Sequence, residues 1–326
     1  VEDKPMARYA NPLAAPFVRA TPAVRTTLAA YANQEWASPT FEALELEGKW
    51  SLGRATKKLR LRLPSAEKSL GAGVISSVKV RRQVDGELLE KSYSPTSHPE
   101  ATGYFDLLVK AYPPREGGGL GAALCDLERG QTADFQVKPQ RQVHGAAISR
   151  NRWKRIGLLV GGTGVAPAAG LLETLLSDAD EKTEISLVAS HSLVGDALLC
   201  SQFNELAQRH DRFLRTHTAF SRENPENADL IAKAIGSAIS YSSWTPAFKA
   251  TCSVGRIDAP LLASALPPPT NGTLVFVCGT DGFVASMAGP VSRVVDGDPP
   301  RKHKVQGPTL GLLGQLGFQP DQVFKL

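Results

Sequence analysis

Gly161, Gly162, Thr163 and Gly164 place three glycines within four residues, directly after the apolar run Ile156-Gly157-Leu158-Leu159-Val160. That run is long enough for one buried parallel strand. Pro167 then falls where a helix can begin, because the N–H it lacks is an orphan there anyway. Ala168 to Leu176 are helix formers with an apolar face. Strand, glycine turn and helix start together make a backbone cradle for phosphate: the glycines let the main chain approach, and the helix start offers free N–H groups and a positive dipole end. Pro167 stands where the dinucleotide fingerprint G-x-G-x-x-G has its third glycine. Taken alone, the turn fits a structural βα connection or a methyl-donor site equally well.

Two further segments bear on that choice. Upstream lies Lys91-Ser92-Tyr93-Ser94-Pro95-Thr96-Ser97, and downstream lies Cys278-Gly279-Thr280-Asp281-Gly282-Phe283. In this order and at these distances the three resemble the ferredoxin–NADP reductase superfamily, and within it the NADH–cytochrome b5 reductases. Those families show R-x-Y-[ST]-P, then G-G-T-G-[IV]-[TA]-P, then C-G-x-x-x-[MF]. The resemblance runs from about Phe41 to Leu326. It implies an antiparallel β-barrel FAD domain followed by a doubly wound, Rossmann-like α/β domain for NADPH or NADH. The implied reaction passes a hydride from the nicotinamide to the flavin and then electrons to a haem protein or other one-electron acceptor.

Such chemistry asks for little acid or base from the protein, because the cofactors carry it while the protein stacks their rings and excludes water. The resemblance therefore implies binders and positioners. Tyr93 is expected against the isoalloxazine and Ser94 near flavin N5, with Pro95 fixing the backbone between them. Lys91 replaces the family arginine that reaches the flavin pyrophosphate, keeping the charge but losing the bidentate fork. Gly117 to Gly121 occupy the place of G-G-K-M-S, so Gly118, Gly119, Leu120 and Gly121 are expected to offer backbone donors to that pyrophosphate. A second phosphate site opening a helix suits a dinucleotide, hence FAD rather than FMN. Lys110 matches a lysine associated with the nicotinamide nucleotide. Gly161 to Gly164 should approach both cofactors, and Cys278 and Gly279 should place a thiol near the nicotinamide C4. Ser94 and Cys278 are the side chains expected nearest the reacting atoms. Ser221-Arg222-Glu223 resembles the Ser-Arg-Glu of plant-type ferredoxin–NADP reductases, where a hydroxyl and a planar cation suit the 2′-phosphate of NADPH. Gly-Thr-Asp-Gly-Phe in place of Gly-Pro-Pro-Pro-Met resembles mitochondrial fungal-type members.

Positioning these residues requires two kinds of element. From Phe41 to about His144 the pattern is β-like: Lys58-Leu59-Arg60-Leu61-Arg62-Leu63 and Val78-Lys79-Val80 alternate strictly, and Tyr104 to Tyr112 is a longer β-rich run. Strict alternation means one buried and one solvated face, as in a small antiparallel barrel. A short helix is expected from Ala122 to Leu127. From about Arg152 onward, apolar runs such as Ile185–Ala189 and Leu274–Val277 alternate with helical stretches such as Asp196–Arg209, whose basic end suits a helix C-terminus. The strand Phe213–Phe220 leads into Ser221. The expected domains are therefore residues 41–150 for FAD and 151–326 for the nicotinamide nucleotide, joined at the polar linker Ser149–Arg152.

Composition is compatible with this and excludes other classes. The chain has 326 residues, 42% of them apolar, enough for two cores. No run approaches the roughly 18 apolar residues of a membrane span. The net charge, 37 − 32 = +5, suits acidic redox partners or phosphate ligands and is not gathered into a nucleic-acid stripe. Cys125, Cys200, Cys252 and Cys278 show no C-x-x-C spacing, against iron–sulfur, zinc or disulfide frameworks. None of the six histidines pairs at metal-ligand spacing, and they read as surface or boundary residues.

Residues 1–40 differ. From Lys4 to Gln34 there are four basic residues and no acid, with many alanines, prolines and threonines, a composition resembling organelle-targeting sequence. A start at Val1 fits proteolytic maturation and equally an arbitrary boundary. The extension reads as a mitochondrial presequence neighbour or a surface arm, with Phe17, Leu28, Tyr31 and Trp36 as anchors for subunits of a mitochondrial complex. Two functional readings stand: an NAD(P)H-dependent FAD oxidoreductase, or an inactive accessory subunit that keeps the fold.

Overall fold

Alternating apolar residues build the first half of the molecule. The computed structural model describes residues 36–53, 55–112, 119–210, 214–235, 238–239, 250–296 and 301–326. Strands β1 (Glu42–Ser51), β2 (Thr56–Arg62), β3 (Val78–Val84), β4 (Glu87–Tyr93) and β5 (Tyr104–Lys110) are followed by helix α1 (Leu120–Cys125) and strand β6 (Thr132–Val137). They form one antiparallel sheet in the order β4-β3-β6-β1-β2-β5. Leu59, Leu61, Val78, Val80, Phe105 and Phe135 point inward, with the two phenylalanine rings edge to face at 5.6 Å. Outside, the carboxylate of Asp106 is clamped by Arg60 at 2.8 and 3.0 Å and by Lys58 at 2.8 Å. Arg60 in turn stacks 3.7 Å from the ring centre of Tyr104. Trp36 lies against this barrel, its indole N–H donating to Glu42 at 3.0 Å. The anchors Phe17, Leu28 and Tyr31 lie outside the described residues.

The second half is a doubly wound α/β domain. Its elements are β7 (Arg155–Gly161), α2 (Val165–Ser177), β8 (Glu184–His191), α3 (Cys200–Arg209), β9 (Leu214–Phe220), α4 (Ala228–Ile235), β10 (Ala238–Ile239) and β11 (Ala250–Val254), then α5 (Ala259–Ala265), β12 (Thr273–Cys278) and α6 (Asp281–Ala288). A hairpin β13 (Ser292–Asp296) and β14 (Arg301–Val305), helix α7 (Gly311–Gln315) and strand β15 (Val323–Lys325) complete it. The sheet is parallel throughout, in the order β10-β11-β9-β8-β7-β12-β15. The chain winds outward from β7 on one side and returns on the other at β12. In such sheets the crevice beyond the carboxyl ends at that switch point is where ligands sit. Buried Lys325 pins the base of the hairpin, donating to the carbonyls of Pro290 (3.1 Å) and Pro308 (2.7 Å).

Two expectations are corrected. The helix read from Asp196 begins only at Cys200: Leu199 is left-handed at φ 60° with Leu198 buried beside it, and Val194–Asp196 is a separate 3-10 turn. The short helix read at Ala122–Leu127 spans Leu120–Cys125, because Leu120 is buried in the barrel core. The linker Ser149–Arg152 is fastened down, with Arg152 donating to the carbonyls of Val143, Ala146 and Ala147 and the Asn151 N–H bonded to Glu181.

Candidate active site

The Tyr93–Ser97 loop is held by β5. The Asp106 carbonyl accepts from the Thr96 N–H at 2.9 Å, the Asp106 N–H donates to the Ser97 hydroxyl at 3.2 Å, and Pro95 bridges to Leu107. Asp106 is itself immobilised by its two cations, so the loop inherits a rigid support. Ser94 is half-buried and lines a cleft with Pro95, Ser97, Pro167 and Gly170. A Cβ on Gly170 would lie only 3.6 Å from the Pro95 carbonyl, so helix α2 of the second domain packs directly on this loop.

At the switch point the glycine turn and the cysteine motif interlock. Gly162 has φ +54°, a conformation that favours glycine. A Cβ on Gly164 would press into the Cys278 carbonyl group and come within 2.9 Å of the Gly279 nitrogen. Gly161 and Gly279 both face the Phe283 ring, where a Cβ would come within 2.9 and 2.6 Å. The 3-10 turn Gly162–Gly164 runs straight into α2, with Pro167 in its first turn, where no intrahelical bond is lost. Cys278 ends β12 half-buried, within electrostatic reach of the Arg141 guanidinium.

A third group gathers at the end of β5. The Lys91 ammonium sits 5.8 Å from the Tyr93 ring centre and 6.0 Å from that of Tyr112, and Lys110 sits 5.5 Å from Tyr112. Helix α1 starts beside them: a Cβ on Gly121 would come 2.5 Å from the Lys110 carbonyl and 3.8 Å from the Tyr93 hydroxyl. Gly121 therefore has a packing reason to be glycine besides any phosphate. Gly119 is the N-cap and brings no side chain, leaving the first N–H groups of α1 uncapped. Gly118 lies outside the described residues. The Tyr93 hydroxyl is buried without a partner, and burial pushes its pKa upward.

At the end of β9, the Ser221 N–H and hydroxyl both donate to the His191 carbonyl, at 2.9 and 3.3 Å. The Arg222 N–H donates to Ser192 at 3.0 Å, and its side chain is exposed. The Glu223 carboxylate, which would oppose a 2′-phosphate if it faced inward, accepts the Val194 N–H at 2.6 Å.

The reading of all histidines as surface or boundary residues is wrong for two of them. His191 is 3% exposed and His217 1%, because both sit on central strands. Burial pulls the pKa of each down to about 4. Tyr112, beside Lys91 and Lys110, is the residue of this group that sequence reasoning passed over. Tyr112 follows Lys110 by two positions, a same-face spacing that was the available signal.

This geometry defines a class: a two-domain reductase in which an antiparallel barrel presents a flavin cradle to the switch point of a nicotinamide-binding sheet. Comparison with known proteins agrees. Residues 43–140 match the model of the oxidoreductase FAD-binding domain, and residues 158–239 that of the oxidoreductase NAD-binding domain. NADH-cytochrome b5 reductase 2 of Neurospora crassa is 31% identical over 296 residues, spanning 90% of this chain and 74% of that protein. NADH-cytochrome b5 reductase 1 of Dictyostelium discoideum is 28% identical over 254 residues, 78% of each. The cytochrome b5 reductase domain of Ulva prolifera nitrate reductase superposes with a TM-score of 0.61 at 26% identity, over 77% of this chain and 91% of that one. The chain belongs to the NADH-cytochrome b5 reductase-like family of FAD- and NAD-linked oxidoreductases.

The residues present fit an FAD. The partnerless Tyr93 hydroxyl, the uncapped start of α1 and the Lys91 and Lys110 ammoniums supply an aromatic face, backbone donors and positive charge in one place. Among the described residues no group of three His, Cys, Asp or Glu could hold a metal ion, and no helix is long and apolar enough to cross a membrane.

Proposed function

We propose that this chain takes a hydride from a nicotinamide nucleotide and hands electrons to a haem protein, the acceptor class its relatives' names state for them. The observation that carries this is the convergence of three segments. The Tyr93–Ser97 loop of the barrel packs on α2, and α2 opens from the glycine turn that interlocks with Cys278–Gly279. A bound FAD supplies the conversion of a two-electron input into one-electron output. Tyr93 and Ser94 hold and orient it from the barrel, and Lys91 and the start of α1 neutralise its phosphates. Gly162 to Gly164 admit the nicotinamide end of the nucleotide, with the Cys278 thiol beside it. Packing of α2 on the Pro95 loop holds the flavin-side loop and the glycine turn in a fixed relation.

Anaerobic titration of the purified yellow protein tests this. Bleaching within seconds by NADPH or NADH, followed by reduction of added cytochrome b5, is the expected outcome. A colourless or unresponsive protein would instead make the chain an accessory subunit.

Within this reading NADPH is the preferred donor. Support comes from the exposed Arg222 beside Ser221 and from Glu223, whose carboxylate is engaged with Val194. Arg222→Ala should cost kcat/KM for NADPH on the order of 2 kcal/mol and leave NADH nearly untouched. A tenfold preference of the unaltered enzyme for NADH, with R222A silent, removes this part of the proposal. Residues 1–40 are assigned to mitochondrial targeting and to contact with partner subunits there, on the basic, acid-free stretch from Lys4 to Gln34. Imaging the tagged full-length chain beside one lacking residues 1–35 decides it, since identical distributions leave the extension no addressing role.

A further inference from the structure

The imidazole of His191 is enclosed at the last residue of β8, and neither ring nitrogen has a hydrogen-bond partner. The Asp196 backbone approaches the ring but outside hydrogen-bond geometry. Orphaned buried polar atoms are rare in folded proteins, since each forgoes its hydration without replacement. Nothing in the packing compels a histidine here. Its aromatic neighbour Phe220 lies 6.3 Å away in a tilted arrangement that another apolar side chain could make.

The place of His191 in the sheet supplies a reason. β8 lies between β7, which ends in the Gly161–Gly164 turn, and β9, which ends in Ser221–Arg222. A dinucleotide with its nicotinamide at the glycine turn and its adenosine ribose at Ser221 must cross the carboxyl end of β8. What crosses there is its middle, the two ribose hydroxyl groups and the pyrophosphate. The charges of Asp196, from the turn after β8, and of Lys110, from the barrel side, both act on the ring, and β5 lies against the glycine turn.

We propose that His191 is a nucleotide-positioning residue, whose neutral imidazole hydrogen-bonds the ribose–pyrophosphate middle of the bound nicotinamide dinucleotide. The inference rests on the nicotinamide site proposed above. It assigns His191 to donor binding whichever of NADH and NADPH is preferred, because the contact lies away from the 2′ position.

The test uses the flavin-loaded enzyme and the oxidised nucleotides NAD+ and NADP+, which bind without turnover. Dissociation constants come from the flavin difference spectrum, and thermal midpoints are measured on the same samples. His191→Leu should weaken both nucleotides about tenfold or more while the unliganded protein melts no lower than the parent. His191→Gln, which keeps a donor and an acceptor, should stay within about threefold. A structural histidine predicts the reverse, a lowered melting temperature and unaltered affinity. If H191L fails to fold, the parent decides: the imidazole NMR signal absent from H191Q should shift on addition of NAD+. A signal that stays put at saturation overturns the proposal. Should the parent bind neither nucleotide, the reductase reading itself falls, and that result cannot be confused with a parent that binds while H191L binds equally well.

Discussion

His191 and His217 stand on adjacent central strands, are equally enclosed and have both been brought by burial to a pKa of about 4. Their surroundings differ. The two ring nitrogens of His217 meet the Thr251 and Ser253 hydroxyls at 2.8 and 2.9 Å, across the β9–β11 pairing. Those of His191, at the carboxyl edge, meet nothing. Burial therefore determines how a histidine titrates, whereas hydrogen-bond partnership separates a group built into the fold from one waiting for a ligand. The same contrast recurs in the barrel, where Asp106 is fully paired and the Tyr93 hydroxyl is not.

Acid should produce the largest effect. Both histidines stay neutral in the folded chain down to about pH 4, whereas unfolded histidine protonates near 6.5. Between those values the unfolded chain binds more protons, so stability is complete above pH 6.5 and falls as the pH is lowered towards 4. At pH 4.5 the loss should be about 2–3 kcal/mol for each ring, seen as a lower urea midpoint by circular dichroism. H191L and H217L should each remove about half of that histidine contribution. At pH 7.5 the two variants should part. His217→Leu leaves the Ser253 hydroxyl without its ring partner and disrupts the Thr251 bond, costing about 2–3 kcal/mol. His191→Leu replaces an orphan with an apolar group of similar size and should be neutral or stabilising by up to about 1 kcal/mol. Equal losses at pH 7.5 would erase the distinction between the two sites.

The distinction also shows what a single chain can disclose. Alternation in Lys58–Leu63 and around Val78 carries over directly into β2 and β3, because one face of each strand is buried and the other wet. The apolar runs at Ile156, Ile185 and Leu274 become β7, β8 and β12, buried on both faces. β4 carries no such pattern: it is an edge strand with little of Glu87–Lys91 buried, so Tyr93 at its end was reached through its motif alone. The glycines were legible as a turn. That Gly164 rests on Cys278 and Gly121 on the Lys110 carbonyl was not, because those contacts join segments distant in sequence. The same holds for His217, whose partners come from β11. The ring nitrogens of His191 have no hydrogen-bond partner, and such an absence becomes visible only in three dimensions.

Tyr93→Phe carries the comparison to the barrel and should have the smallest effect. The substitution removes one buried oxygen that has no partner and leaves the ring beside Lys91 and Gly121 intact. If the hydroxyl is held for the flavin, the unliganded fold loses nothing, since no bond is broken and no cavity larger than an oxygen opens. FAD retention should fall by about 1 kcal/mol, the scale of one neutral hydrogen bond, read from the fluorescence of released flavin on dilution. Tyr93→Ala, which also removes the aromatic face, should cost about 1–3 kcal/mol by the same reading. The ordering is the informative part: Y93F weakening flavin while leaving the melting temperature of the flavin-free protein in place puts Tyr93 with His191. A drop in that melting temperature, with flavin affinity unchanged, would put it with His217 as a group serving the fold.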